Sequence, residues 1–219
     1  MIYHFQGRSY LYCKKLMKFF RRKTSKLPTD ITVITCSNRE DNIGLLIPQL
    51  KKSNIPYINI VPKDVPWDNT MKISYIVNAL KDVTTKYVLI LDAFDVIMSE
   101  DNSDILEVFK TFGKKLVFNA SKNNFPNMEI DIIPNRDQLG SFKYLNAGCC
   151  LGETEYTLSF YEKCLDIIGI ENPDKSEQLI VRNVFNREQD NVCIDHECKM
   201  FQTVAHCTAT YEDGKWIVV

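Results

Sequence analysis

Apolar and polar positions alternate between two periods along this chain, and the switches mark its elements. Asp30-Ile-Thr-Val-Ile-Thr-Cys36 is a β-branched run closed by Ser37-Asn38, and it predicts a buried strand. From Glu40 to Lys52 the residues Ile43, Leu46, Ile47 and Leu50 fall at helical spacing, with Pro48 predicting a kink. Tyr57 to Val61 predicts a second strand. Thr70 to Lys81 predicts a second helix with Ile73, Ile76, Val77 and Leu80 on one face. Lys86-Tyr-Val-Leu-Ile-Leu-Asp92 is apolar along its length, as a central parallel strand covered on both faces requires. A helix over Ser103 to Phe112 and a strand over Lys115 to Asn119 follow. Further on, helices are expected over Glu155 to Ile168 and Ser176 to Phe185, with strands near Tyr144 to Leu151 and Val192 to Phe201.

Strand and helix in this alternation imply right-handed crossovers and a mostly parallel central sheet flanked by helices. The fold class is therefore α/β, with one domain over residues 28–219 and a basic segment over residues 1–27 before it. Ligands of such sheets sit beyond the carboxyl ends of the strands, so loops 36–41, 62–71 and 92–101 are the places for chemistry.

Composition and charge narrow the function. With 45% hydrophobic and 25% charged residues the chain can bury a core, which excludes disordered and low-complexity classes. A net charge of -1 argues against nucleic acid as a partner. The charge is unevenly placed: residues 1–29 carry eight Lys or Arg and no acid. Leu11, Leu16, Met17, Phe19 and Phe20 interleave with those cations, so residues 8–26 form either a basic amphipathic helix on an anionic membrane or a solvated or docked tail. No stretch approaches the about 20 apolar residues of a membrane span, and the start lacks the apolar run of a secretory signal. The eight cysteines include no Cys-x-x-Cys and read as reduced, buried thiols. The expected compartment is cytoplasmic, with peripheral membrane contact through residues 8–26.

The most informative segment is Leu91-Asp-Ala-Phe-Asp-Val96. Asp92 closes the central strand and Asp95 follows where the chain turns away. Two converging carboxylates repel unless a cation compensates them. Hard divalent ions such as Mn2+ or Mg2+ take such oxygens and leave room for a phosphate. The alternative is that Asp92 caps the next element and Asp95 is simply exposed.

Other segments stand in order around this pair: Val33-Ile-Thr-Cys-Ser-Asn-Arg-Glu40, Trp67 with Met71-Lys72, Leu116-Val-Phe-Asn-Ala120 with Phe125-Pro126, Tyr144-Leu-Asn-Ala-Gly148, Ser176-Glu-Gln178, Cys193-Ile-Asp195, and Ala205-His206. Together they resemble the GT-A glycosyltransferase domains of procollagen lysyl hydroxylases and of their collagen galactosyl- and glucosyltransferase relatives, from about residue 31 to residue 206. The resemblance implies a single Rossmann-like GT-A domain and a metal-dependent transfer of glucose or galactose from UDP-glucose or UDP-galactose to a hydroxyl on a glycan or protein. It implies Asp92, Asp95 and His206 as ligands of Mn2+ or Mg2+, where His206 is otherwise a core histidine. His196 and His4 are left outside the site, His4 in the N-terminal tail.

By the same resemblance Thr35 and Asn38 line the uridine and ribose, Phe94 stacks on the base, and Lys72 neutralises phosphate charge at its helix start. Trp67 is either part of that wall or an anchor beneath the 62–66 loop. Asn146, Glu177 and Gln178 face sugar and acceptor, with Glu177 the local carboxylate for proton transfer.

The chain departs from the family pattern at three places. Phe94 stands for a tyrosine, Ser176 for an acid, and after His206 only Lys215 is available for the diphosphate. Those departures make a catalytically impaired relative, or a membrane-surface or partner-binding module, the alternative. The hydroxylase domains of the longer members have no counterpart in these 219 residues, so no lysine hydroxylation is expected.

Overall fold

All five residues of Tyr87–Leu91 are buried, and they divide by parity between two apolar clusters. Val88 and Ile90 face one cluster while Tyr87, Leu89 and Leu91 face the other, which makes this the middle of a three-layer domain. The computed structural model describes residues 1–9, 23–37, 44, 46–62, 67–127, 136–169, 176–204, 209–212 and 215–218. In chain order the strands are β1 (Ile2–His4), β2 (Ile31–Cys36), β3 (Tyr57–Ile60), β4 (Tyr87–Leu91), β5 (Val96–Met98), β6 (Leu116–Ser121), β7 (Tyr144–Glu153), β8 (Val192–Asp195), β9 (Phe201–Thr203), β10 (Ala209–Glu212) and β11 (Lys215–Val218). The helices are α1 (Leu46–Ser53), α2 (Met71–Leu80), α3 (Ile105–Thr111), α4 (Thr154–Asp166) and α5 (Glu177–Arg187).

The main sheet has six strands in the order β3-β2-β4-β7-β6-β8. β2 runs parallel to β3 and β4, and β6 parallel to β8. β7 is antiparallel to both of its neighbours, so it alone runs against the other strands of this sheet. The sheet is mostly parallel, as expected. Its one reversal is hidden in the sequence because β7 is buried at eight consecutive positions, and a two-sided apolar run carries no mark of direction.

Ile73, Ile76, Val77 and Leu80 of α2, Phe160 and Cys164 of α4, and Ile180 and Val184 of α5 cover one face. Leu46 and Leu50 of α1 and Ile105 and Phe109 of α3 cover the other. Pro48 is the third residue of α1, where the missing N–H has no intrahelical partner, so it sits in the first turn. Cys36, Cys149, Cys150 and Cys164 are buried free thiols, as expected, while Cys13 and Cys207 lie outside the described residues.

The first residues of the chain pair with strands of the domain. β1 is the middle strand of a second sheet ordered β5-β1-β9, antiparallel to β5 and parallel to β9. Ile2 joins Met98 and Phe201 in the cluster beneath the main sheet. Burial of Ile2, Tyr3 and Phe5 offsets the entropy of ordering this segment. The cations at 14–22 lie outside the described residues. Among the described residues no helix is long and apolar enough to cross a membrane.

Candidate active site

The chain leaves β2 toward β3 on one side and returns to β4 on the other, so a crevice opens at the carboxyl ends of β2 and β4. A cleft of about 570 Å³ occupies that place. Cys36 and Ser37 enter it from β2, Asp92, Phe94 and Asp95 from the turn after β4, and Lys72 from the first turn of α2. Asn146 and Gly148 enter from β7, Glu177 from the first turn of α5, and His4 and Gln6 from the N-terminal strand and its extension.

Charge concentrates on one side of the cleft. Asp92 Oδ1 accepts a 2.6 Å hydrogen bond from Lys72 Nζ, and the same ammonium lies 3.2 Å from Glu177 Oε1. Asp92 Oδ2 and Asp95 Oδ2 lie 3.4 and 3.5 Å from His4 Nε2. His4 is 2% exposed. Burial alone would lower its pKa, but Asp95 and Asp92 outweigh burial and push it up to about 10. Burial likewise opposes the charge on Asp92, yet Lys72 and His4 hold its carboxyl well below the usual carboxylate range. Lys72 is raised by Asp92 and Glu177 against its own desolvation. Glu177 behaves in the opposite sense: burial, helped by Asp92 and countered by Lys72, pushes it up to about 7.

The backbone of β7 fits around this cluster. Its register against β6 jumps between Phe118↔Cys150 and Asn119↔Asn146, leaving residues 147–149 without a partner on β6, with Ala147 and Gly148 lining the cleft. The Gln178 side chain spans the gap as a strand would, accepting from Ala147 N at 2.8 Å and donating to Leu145 O. A Cβ at Gly148 would lie 2.7 Å from Asp92 Oδ2 and run into the His4 ring, so only glycine fits there.

His4, Asp92 and Asp95 each offer a ligand atom within 4.8 Å of the others. An octahedral cation with bonds of about 2.1 Å needs adjacent ligands about 3 Å apart, so this triad suits a hard divalent ion after small adjustments. His4 Nε2 supports the fit: it is buried, has no hydrogen-bond partner among the described residues and points at both carboxylates.

Of the residues singled out from sequence, Asp92, Asp95, Lys72, Phe94, Trp67, Asn146, Glu177 and Gln178 meet in this cleft. Trp67 donates to Asn69 Oδ1 at 3.2 Å and stacks on Tyr75 at 6.5 Å, so it is a braced wall residue. Gln178 is spent on the backbone of β7 instead of facing an acceptor. Ser176 caps α5, accepting from Leu179 N at 3.4 Å. Thr35 is fully buried within β2 and does not line the cleft. Pairing continues past it to Ser37 N→Ile60 O, so Cys36 and Ser37 form the strand end that opens into the cleft. Asn38 and His206 lie outside the described residues, and Lys215 is described only as the first residue of β11. His4 is the residue that sequence reasoning missed. Its one trace was the apolar run Ile2-Tyr3-His4-Phe5 inside a basic stretch.

A switch-point cleft walled by two carboxylates, an imidazole and a lysine is the ligand site expected of an α/β domain of this topology, and the family to which the chain belongs gives its class, a glycosyltransferase domain. Residues 68–212 match the PLOD GT domain family, well over half of the chain, and the protein belongs to that family. It is similar to procollagen-lysine,2-oxoglutarate 5-dioxygenase 2 of Homo sapiens, 26% identical over 215 residues that cover 88% of this chain and 28% of the relative. It is also similar to procollagen-lysine,2-oxoglutarate 5-dioxygenase 1 of Rattus norvegicus, 26% identical over 140 residues, 61% of this chain and 18% of that one. The chain thus spans less than a third of the length of these relatives. A solved glycosyltransferase involved in glycosylation of the major capsid of PBCV-1 superposes with a TM-score of 0.48 at 10% identity, covering 75% of this chain and 80% of that one.

Proposed function

We propose that this domain transfers a hexose, glucose or galactose, from a UDP-sugar to a hydroxyl acceptor on a glycan or protein, with Mn2+ or Mg2+ as the required cation. The observation that carries this reading is the carboxylate pair Asp92 and Asp95 facing a buried imidazole nitrogen beside Lys72, in a chain of the PLOD GT family. Asp92 and Asp95 would hold the cation, and His206 is the further ligand that the family resemblance supplies. When bound, that ion supplies positive charge against a diphosphate.

Lys72 adds a second cation at the same place and is held toward the cleft by Asp92 and Glu177. Trp67 and Phe94 give the base an aromatic wall, and Cys36 and Ser37 take the place at the strand end that Thr35 was expected to fill. Asn38 and Lys215 complete the nucleotide contacts in this reading. Asn146 faces the reacting groups, and Glu177 is the base. A carboxyl pushed up to about 7 exchanges a proton with a hydroxyl near neutral pH more readily than an ordinary glutamate. Gln178 keeps β7 in the shape that presents Asn146.

Calorimetric titration with UDP tests the reading. Binding is expected with Mn2+, to vanish in EDTA, and to be lost in Asp92→Ala and Asp95→Ala. Wild-type affinity in EDTA, or in both variants, would sink the metal-dependent assignment.

A further inference from the structure

We propose that His4 is a nitrogen ligand of the cation at Asp92 and Asp95, so that β1 completes the metal centre from outside the segment that matches the family. The inference rests on the reading that these two aspartates hold a divalent ion.

The hydrogen bonds around Asn146 fix which way the imidazole faces and which nitrogen donates to it. Asn146 Oδ1 accepts from Gly148 N at 3.0 Å, and Asn146 Nδ2 donates to Gln6 Oε1 at 3.0 Å. The atom 3.0 Å from His4 Nδ1 is therefore a carbonyl oxygen, and Nδ1 must carry the proton that it donates. That leaves Nε2 either to carry a second proton, as it does in the metal-free site, or to give its lone pair to a cation that displaces that proton. Nε2 is buried and without a hydrogen-bond partner among the described residues, and it faces Asp92 Oδ2 at 3.4 Å and Asp95 Oδ2 at 3.5 Å.

Nε2 set against two carboxylates needs a positive centre among the three, a proton in the metal-free site or a cation. One proton cannot bridge both carboxylates, and a charge-assisted N–H···O bond contracts to about 2.7–2.9 Å. A divalent ion uses all three atoms at once. A ring nitrogen on the metal with the other N–H given to an oxygen is the usual arrangement for a ligating histidine, and Asn146 is the positioning residue here.

The backbone holds His4 in place from both sides. Phe5 N donates to Asp95 O at 2.7 Å and Val204 N donates to His4 O at 2.7 Å, so β1 is tied directly to the metal-motif turn. Gly148 leaves the space that the ring occupies.

The test uses the full chain and Mn2+ alone. His4→Gln is expected to weaken Mn2+ binding at least about 10–100-fold, the range for disturbing a ligand's own support. An unchanged affinity overturns the proposal. The chain has three histidines, so in the double variant His196→Gln, His206→Gln only His4 remains. Electron spin-echo spectra of Mn2+ bound to that variant are expected to show coupling to an imidazole nitrogen. Bound Mn2+ without the coupling overturns the proposal without touching His4 itself. Asp92→Ala separates the two levels. If it loses Mn2+ while His4→Gln keeps it, His4 is not a ligand and the aspartate site stands. If wild-type protein binds no Mn2+, both readings fall.

Discussion

Asp195 and Asp92 each stand at the end of a strand of the six-stranded sheet, and their carboxylates are satisfied by different things. Asp195 is fully buried and accepts from the backbone N–H groups of Lys199, Met200 and Phe201 at 2.8, 2.6 and 2.8 Å. Those donors belong to the main chain that turns from β8 into β9, and they have nowhere else to go. Asp92 is 31% exposed at its side chain and is balanced by an ammonium and an imidazole at the wall of a cleft. Its partners are side chains, and a substrate or an ion can compete for them. The difference separates a carboxylate that builds the fold from one that is available for chemistry: fixed dipoles surround the first, exchangeable charges the second.

The sharpest way to break this contrast is to remove each carboxylate in turn. Asp195→Ala leaves three amide donors without their acceptor and is expected to cost about 3 kcal/mol of stability or more, seen as a lower urea midpoint. Mn2+ affinity of the folded variant is expected to stay at the wild-type value. Asp92→Ala is expected to reverse the pattern, and a larger stability loss there than in Asp195→Ala would refute the contrast.

The second pair lies on one strand. Gly148→Ala pushes a methyl against Asp92 and His4, so a loss of about tenfold in Mn2+ affinity, roughly 1.4 kcal/mol, is expected. Gly152→Ala meets Leu116 Cδ1 at 2.8 Å and Lys115 O at 3.0 Å, deep in the packing. Its cost is expected in stability, about 1–3 kcal/mol, with metal affinity retained. Calorimetry and urea unfolding on both variants decide whether the two glycines differ as described.

The smallest effect concerns pH. Glu177 titrates near 7 when folded against 4.5 ordinarily, so the folded state holds its proton more tightly. That contribution to stability is complete below about 4.5 and is lost as pH rises through 7. Metal-free wild type is therefore expected to lose more stability between those values than Glu177→Gln does. Parallel urea midpoints for the two would contradict the assignment.

The parts that were legible in sequence are those governed by local pattern. β4 declared itself through five apolar residues closed by an aspartate, α2 through apolar positions at helical spacing, and the carboxylate pair through its place at a strand end. The parts that were hidden depend on distant pairing. β1 has three residues, and nothing near it in sequence says that residues 96–98 and 201–203 will flank it. The rim of the cleft is hidden for a related reason: where a strand stops being sheet is set by its neighbour, here Ile60, which leaves Thr35 inside β2. The role of Gln178 was hidden too, because a side chain that stands in for a missing strand is visible only once the bulge in β7 is known.

The position of β1 between β5 and β9 also orders events during synthesis. His4 leaves the ribosome long before either flanking strand exists. β5 arrives after about a hundred residues and can pair with it by then, bringing His4 to Asp92 and Asp95. β9 appears only after about another hundred, and the closure of so long a loop comes before any contact that rewards it. The nascent chain can therefore gather His4, Asp92 and Asp95 while Asn146, Glu177 and the far edge of the small sheet are still to be made.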